Sequence, residues 1–497
     1  MADHGLARGG TFEEGTHFGP LGTFALTTLV SAGPWLATWL AVAARDALWL
    51  FGSATPGDRL FLCLVTTACA FSLVLMAPWQ LVATRLLTDK LSEGREADAV
   101  ADFWRLLPVA LLVQLVLGVG FLAFVPLSSV LRGEALVLYL LNSSIWLALV
   151  YLSALRNYKT LAWAFGPGLV IGVLAAWSGE LLDPAFQLGG FTLGAAVSFW
   201  MLLRGMTRTL DAPGVGERSL IALWRYRWLA VAGLCYATGL WIDKWLFWNH
   251  AGTAWVIAGP LQVSPVYDDA MFIAALTALP GLALFLLKAE PAFNLQYRAY
   301  LRTFAVSDPA AGGQARTRML RTLREGLSWV LGVQGAFTLL VALFAPEISR
   351  MLGLHWFSLP VFRAGVLAAG LQVFAGIGLT LLLYFDWQRT AALLAACFAS
   401  LNGLATWLSL HIGLMAYGYG TLFASAAAVA LAFGLLEHGL ARLESRLSRR
   451  PLPALAHRAG IVAIALYVLS CPAHHAGTSA SATLQGPSGP IYWEVCC

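Results

Sequence analysis

From Ser264 to Phe293 the chain reads S-P-V-Y-D-D-A-M-F-I-A-A-L-T-A-L-P-G-L-A-L-F-L-L-K-A-E-P-A-F. Its middle, Ala270 to Leu287, carries no charge. As a helix it is long enough to cross a hydrocarbon core of about 30 Å. Pro280 has no N–H to donate, so a carbonyl one turn earlier loses its helical partner. In lipid that carbonyl must be met by protein or by a lined cavity. Ala274, Ala278 and Gly281 fall on one face and let a second helix come close. The stretch therefore predicts a broken helix inside a bundle, with Pro280 and Gly281 as hinge candidates. Pro34, in an earlier apolar run, is a third.

Composition agrees with a membrane setting. Of 497 residues, 59% are hydrophobic and 11% charged, with a mean hydropathy of +0.73. Soluble domains carry roughly a quarter charged residues. Twenty tryptophans suit aromatic belts at two interfaces. The net charge of +5 is spread between apolar runs rather than gathered in one patch, which argues against a nucleic-acid partner. The seven cysteines show no metal-ligand spacing, and those inside apolar runs read as small hydrophobes. The N-terminus is polar and weakly acidic around Glu13-Glu14, so the first span is expected to serve as its own insertion signal.

Apolar runs of adequate length lie at roughly 21–44, 60–87, 106–127, 136–155, 161–177, 185–203, 228–249, 270–287, 327–346, 360–384, 390–411 and 419–436. The expected fold is an all-α polytopic membrane protein of about twelve transmembrane helices. Lysine and arginine placement orients it. With the N-terminus inside, about 25 of the 31 basic residues fall on the cytoplasmic side, so both ends of the helical core are expected to be cytoplasmic. The divisions follow: a cytoplasmic segment 1–20, a first lobe of six spans 21–203, a cytoplasmic inter-lobe loop 204–227, and a second lobe 228–436. That lobe carries a basic cytoplasmic loop at 288–325. An extension, 437–497, holds a short apolar run at 461–469 and Cys471 in a weakly lipoprotein-like context. In the basic loop Phe293, Tyr297, Tyr300 and Phe304 recur every three or four residues, interleaved with Arg298 and Arg302. That pattern predicts an amphipathic helix on the inner leaflet, either anchoring there or docking a cytosolic partner.

Ionisable groups inside spans are costly and need a reason. Asp243-Lys244 sits late in the seventh span among Trp241, Trp245 and Trp248. Sequence neighbours point about 100° apart on a helix, so the two need not pair. Interfacial snorkelling and a cavity role both remain open. Asp268-Asp269 reads as the acidic first turn of a helix, where acids complement the dipole. Gln80, Gln114, Asn142, Gln334, Gln372 and Asn402 suit interhelical ties, or together a wet path for a hydroxyl-rich substrate. The four lysines follow Asp, Tyr, Asp and Leu, so no phosphate-cradling Gly-Lys-Ser/Thr loop exists. A membrane-embedded glycosyltransferase would place catalytic acids in an early, sizeable outer loop, whereas the only outer Asp-Asp here comes after the seventh span, in a loop of modest length. No cofactor, metal site or catalytic residue is expected.

Several separated motifs resemble one family in order. Ser31-Ala32-Gly33-Pro34-Trp35 resembles the S-x-G-P-W signature of PelG, the inner-membrane component of Pel exopolysaccharide export. Gly233-Leu234-Cys235-Tyr236 with Trp241-Ile242-Asp243-Lys244 and Trp248, then Tyr267-Asp268, Met271-Phe272, Pro280, Glu290 and Phe293, are similar to its later spans. So are Tyr384-Phe385-Asp386-Trp387-Gln388-Arg389 and Tyr417-Gly418-Tyr419-Gly420. The resemblance covers about 20–445. The glycine-rich, acidic start and the tail after Arg450 depart from the family pattern.

The resemblance implies a flippase-like transporter of the multidrug/oligosaccharidyl-lipid/polysaccharide (MOP) superfamily that carries a growing amino-sugar polymer across the bacterial inner membrane. It also implies a cytosolic glycosyltransferase and two small membrane partners, one a cyclic-di-GMP receptor. Trp35, Gln80, Asp243, Lys244, Tyr267 and Asp268 are the candidates for the transport path. The alternatives are an ion-coupled flippase for a lipid-linked oligosaccharide or small molecule, and a membrane scaffold for the synthase.

Overall fold

A computed structural model describes residues 56–93, 95–154, 158–177, 184–209, 219–306 and 309–441. The N-terminal segment and first expected span with Pro34 and Trp35, residues 210–218 of the expected inter-lobe loop, and the extension beyond residue 441 with Cys471 lie outside the described residues. The helices are α1 (Pro56–Ser92), α2 (Glu96–Leu122), α3 (Ser129–Ala154), α4 (Tyr158–Trp177), α5 (Pro184–Thr209), α6 (Ser219–Arg225) and α7 (Arg227–Trp248). After a hairpin, β1 (Trp255–Ala258) and β2 (Leu261–Val263), come α8 (Pro265–Leu276), α9 (Leu279–Leu284) and α10 (Glu290–Val306). The last five are α11 (Pro309–Leu343), α12 (Ala345–Met351), α13 (Leu359–Tyr384), α14 (Gln388–Ile412) and α15 (Tyr419–Ala441).

Among the described residues nine helical stretches are long and apolar enough to cross a membrane. The expected fifth and seventh spans form the helices α4 and α7 without meeting that measure. In α7 the tryptophans and Asp243-Lys244 lower the hydropathy. The eighth expected span is longer than the sequence suggests. It belongs to one helical stretch, Pro265–Thr303, that holds the apolar run and continues through the break and past Lys288. Residues 288–325, expected as a basic loop, are therefore mostly helix, shared between α10 and α11. Apolar residues continue beyond Lys288 on one face of the helix, which is why a charge does not end it.

Helices whose surroundings are already apolar gain little from burial, and close packing with interhelical hydrogen bonds must hold them. Small residues supply the closeness. A Cβ added at Gly233 on α7 would lie 2.6 Å from the Ala77 carbonyl oxygen on α1, so these helices touch backbone to backbone. Phe71 of α1 and Trp245 of α7 stack farther along, with centroids 5.3 Å apart. The amides act as ties. Gln80 Nε2 donates to the Trp146 carbonyl at 3.1 Å, joining α1 to α3. Asn402 Nδ2 donates to the Gly239 carbonyl at 2.7 Å, joining α14 to α7. Hence α1 packs on α2, α3 and α7, while α7 packs on α14, and α13 on α8 and α15.

The break at Pro280 is met by protein. Thr277 O and Gly281 N would be partners in an unbroken helix. Instead the Gln334 carboxamide of α11 enters between them: its Nε2 donates to Thr277 O at 2.8 Å and its Oε1 accepts from Gly281 N at 2.8 Å. A Cβ at position 281 would stand 2.5 Å from Oε1, so only glycine admits the amide. A π-helical turn, Phe285–Ala289, follows. The β1–β2 hairpin, which sequence periodicity did not suggest, pairs Trp255 with Val263. Its turn puts Gly259 at φ 56°, and a Cβ there would lie 2.7 Å from Pro126 Cδ of the α2–α3 turn.

Candidate functional site

The polar centre of the second half forms where α7, α8 and α15 converge. Asp243 and Lys244 are buried within the protein, so neither side chain extends to the surface as snorkelling requires. They also pair. Lys244 Nζ lies 3.2 and 3.1 Å from the Asp243 carboxylate oxygens. The helix does point the two Cβ atoms apart, but the four-carbon lysine stem folds back along α7. The same ammonium donates to the Leu240 carbonyl at 3.0 Å and sits 5.6 Å from the Trp241 ring centroid.

Tyr267 of α8 and Thr421 of α15 complete the carboxylate's shell. The Tyr267 hydroxyl donates to Asp243 Oδ2 at 2.8 Å, and Thr421 Oγ1 to the same oxygen at 3.3 Å. The two hydroxyls are 3.1 Å apart. The Tyr267 ring is held by stacking on Phe247, with centroids 3.7 Å apart. A buried charge pair is tolerable only when its remaining hydrogen-bonding capacity is filled. Here three helices fill it.

Asp268 is adjacent and differently placed. It lies in the first turn of α8, as expected, but it is buried. Its Oδ2 accepts from the Ser264 backbone N–H and from Trp248 Nε1, both at 2.8 Å. Its Oδ1 and the Ser264 hydroxyl are buried and have no hydrogen-bond partner among the described residues. A carboxylate oxygen so placed can accept from a hydroxyl or an ammonium group. Among the described residues no group of three or more His, Cys, Asp or Glu is placed to hold a metal ion.

Of the expected path residues, the structure therefore brings together Asp243, Lys244 and Tyr267, with Asp268 beside them. Gln80 stands apart as an α1–α3 tie. Sequence reasoning missed Thr421 and the Trp248–Asp268 bond. The signal for the second was the placement of Trp248 one turn after Lys244.

The expected docking face also needs correcting. Phe293, Tyr297 and Tyr300 do recur on one face of α10, but that face points inward and all three are buried. Tyr297 and Phe293 pack edge-on against Tyr384 and Phe385, at 6.2 Å for Tyr297–Tyr384 and 6.2 Å for Phe293–Phe385. Tyr384 donates to buried Glu290. Arg298 bonds Asn294 within the helix at 3.0 Å, and Arg302 is exposed. An alternation of three and four fits a face turned to lipid or to protein equally well, and here protein takes it.

Residues 5–447 match the family model PelG, exopolysaccharide exporter (EPS-E). No curated protein matched. Among solved structures, the chain is similar to an outward-facing multidrug resistance MATE-family transporter of the MOP superfamily. That alignment has 12% identity and a TM-score of 0.56, covering 86% of this chain and 98% of the other. It is also similar to a MOP superfamily transporter from Pyrococcus furiosus, at 12% identity and TM-score 0.55, covering 85% and 94%. Identities this low carry the fold and nothing finer.

Proposed function

Because the chain belongs to the PelG exopolysaccharide exporter family, we propose that it moves a growing amino-sugar polymer from cytoplasm to periplasm across the bacterial inner membrane. The family match along nearly the whole chain, on a MOP-type helical fold, is the observation that carries this reading. In this proposal two six-helix lobes, including the expected first span, flank the path, and both ends of the helical core are cytoplasmic. A cytosolic glycosyltransferase builds the polymer, and small membrane partners, a cyclic-di-GMP receptor among them, complete the machine. No bond is made or broken by this chain. Tyr267, Asp243, Lys244 and Asp268, with Trp35 and Gln80, line or shape the path, and Pro34, Pro280 and Gly281 mark where its helices bend. The test is deletion of the gene. Surface polymer is expected to vanish, while the cytosolic synthase still makes product from sugar nucleotide in vitro. Polymer reaching the surface normally in the deletion strain overturns the reading.

A second reading is favoured by one observation, the spare buried oxygen of Asp268. An ion-coupled flippase for a lipid-linked oligosaccharide or small molecule could use such an acceptor. Uptake or efflux by the purified protein in liposomes, without synthase and dependent on an imposed proton or sodium gradient, would support it. The inward-turned aromatic face of α10 gives the scaffold alternative no comparable support.

A further inference from the structure

The polar centre just described lies within the second half of the chain. A second charged cluster lies at the opposite ends of the helices and joins the two halves. Arg85, near the end of α1, reaches Asp386 in the turn between α13 and α14, with Nη1 2.9 Å from Oδ1. The pair is separated by 301 positions in sequence and is mostly enclosed, the side chains being 11% and 14% exposed. A second bond crosses in the other direction. The Tyr226 hydroxyl, just before α7, donates to Asp89 Oδ2 of α1 at 3.0 Å. Burial and the Asp89 carboxylate push the Tyr226 hydroxyl up, so it stays protonated as the donor. Its ring also lies beneath the Arg85 guanidinium, at 5.6 Å.

Each charged group also has a partner on its own side. Arg85 Nε bonds Asp89 Oδ2 one helical turn away at 3.2 Å. Gln388 Nε2 donates to Asp386 Oδ1 at 2.8 Å. Asp386 is the one described non-glycine residue with a positive φ, at 58°. Strain of this kind persists only where the surroundings hold it. Here Phe385 and Trp387 stack on each other at 5.0 Å, and Phe385 packs edge-on against Tyr297 at 5.4 Å, fixing the turn from behind.

We infer that Arg85 and Asp89 on α1, with Tyr226 and Asp386 on the second half, form a separable latch that closes this end of the seam between the halves. A permanent structural pair would strand a charge when parted, at a large cost. This one is cheaper to part, because Arg85 keeps the Asp89 carboxylate and Asp386, which is 14% exposed, keeps the Gln388 donor. Two crossing bonds are lost, and each charged side chain keeps a hydrogen-bond partner on its own side. The backbone contact of Gly233 with Ala77, two turns in from Tyr226, offers a place for α1 to turn on α7. The inference rests on the transport reading for its purpose, since a conduit must open at the end where its substrate enters. It does not rest on it for its test.

The test measures the seam directly. Spin labels are placed at Glu93 and Arg389, exposed positions at this end on either half, in full-length protein in nanodiscs with the native cysteines replaced. Wild type is expected to give mainly one short separation. Asp386→Asn removes the charge while keeping a residue that tolerates positive φ. Arg85→Gln removes the other partner. Each is expected to raise the long-separation population roughly three- to tenfold. The double variant is expected to go no further than Arg85→Gln alone, because Asp386 has by then already lost the arginine it bonds across the seam. Arg85→Lys, which keeps the charge and loses the fork, should fall between. Unchanged separations in both single variants, or additive effects in the double, overturn the latch. Surface polymer in the same strains reads the transport proposal separately. Lost polymer with an unchanged seam counts against the latch alone. An opened seam with normal export supports the latch and counts against seam opening as a step in export.

Discussion

The Asp243–Lys244 centre and the Arg85–Asp386 contact use the same chemistry for opposite ends. Both are ion pairs with aromatic hydroxyls beside them, and both join segments distant in sequence. At Asp243 every neighbour serves one carboxylate. Lys244, Tyr267 and Thr421 all converge on it, and losing any of them leaves the remainder short of a partner. At Arg85 the partners are duplicated, one across the seam and one on each side. Convergence fixes an arrangement, while duplication lets it come apart. The comparison predicts that the two sites will respond very differently to the loss of one member.

The largest effect is expected at Lys244. Lys244→Met keeps the length and apolar stem but leaves Asp243 as an unpaired buried charge, which should cost about 3–5 kcal/mol. Unfolding of the purified protein in detergent or nanodiscs measures it. Replacing both residues, Asp243→Leu with Lys244→Met, should recover much of the loss, since no charge is then left alone. A single variant as stable as wild type would mean the pair is not enclosed as described.

Next comes the helix break, where an uncharged group does the converging. Gln334→Ala removes both bonds that replace the missing Gly281–Thr277 rung beside Pro280, and leaves Thr277 O and Gly281 N buried without the amide. A loss of about 2–4 kcal/mol follows from two such groups. Gly281→Ala pushes a methyl into the same amide and should cost about 1–3 kcal/mol. The double variant separates the two causes, because with Gln334 gone the methyl has room. Tyr267→Phe is milder, at about 1 kcal/mol, since it removes one donor from Asp243 while Lys244 stays. Measured together, Gln334→Ala, Gly281→Ala and their double show whether the break behaves as a fixed joint or a loose one.

How far these features could be read from the sequence depends on what each one needs. The uncharged run Ala270–Leu287 and the Pro280-Gly281 break were legible, because a chain in lipid must satisfy its backbone and declares where it cannot. The residue that fills the break was not, because Gln334 is one of several amides in apolar runs and nothing local marks it. Phe293, Tyr297 and Tyr300 declared a helix but not which way its face turns, and turning inward made them core instead of surface. Lys244 was left open for a similar reason: helical geometry fixes its Cβ, while a long flexible stem decides where the charge goes. The hairpin was missed because β1 and β2 are too short for a periodicity to show. Asp386 had a signal in the Tyr384–Arg389 motif, yet its partner stands 301 positions away, and one sequence alone carries no record of that distance.

The smallest predicted effect is also the one that tests the comparison most directly. Asp386→Asn should change stability by less than about 1 kcal/mol, even though it removes a largely enclosed carboxylate from an arginine. Arg85 retains Asp89 and the Tyr226 ring, and Gln388 can donate to the asparagine carbonyl as it did to the carboxylate. Asparagine also tolerates the left-handed backbone, so no strain is added. The measurement is the same unfolding midpoint used for Lys244→Met, run alongside it. A loss approaching that of Lys244→Met would make Arg85–Asp386 a second fixed centre, and the contrast between converging and duplicated partners would fail. A small loss, with Asp386→Ala costing more because alanine resists the positive φ, would show that the turn's backbone matters more to folding than its charge. The charge is then left free to serve the seam.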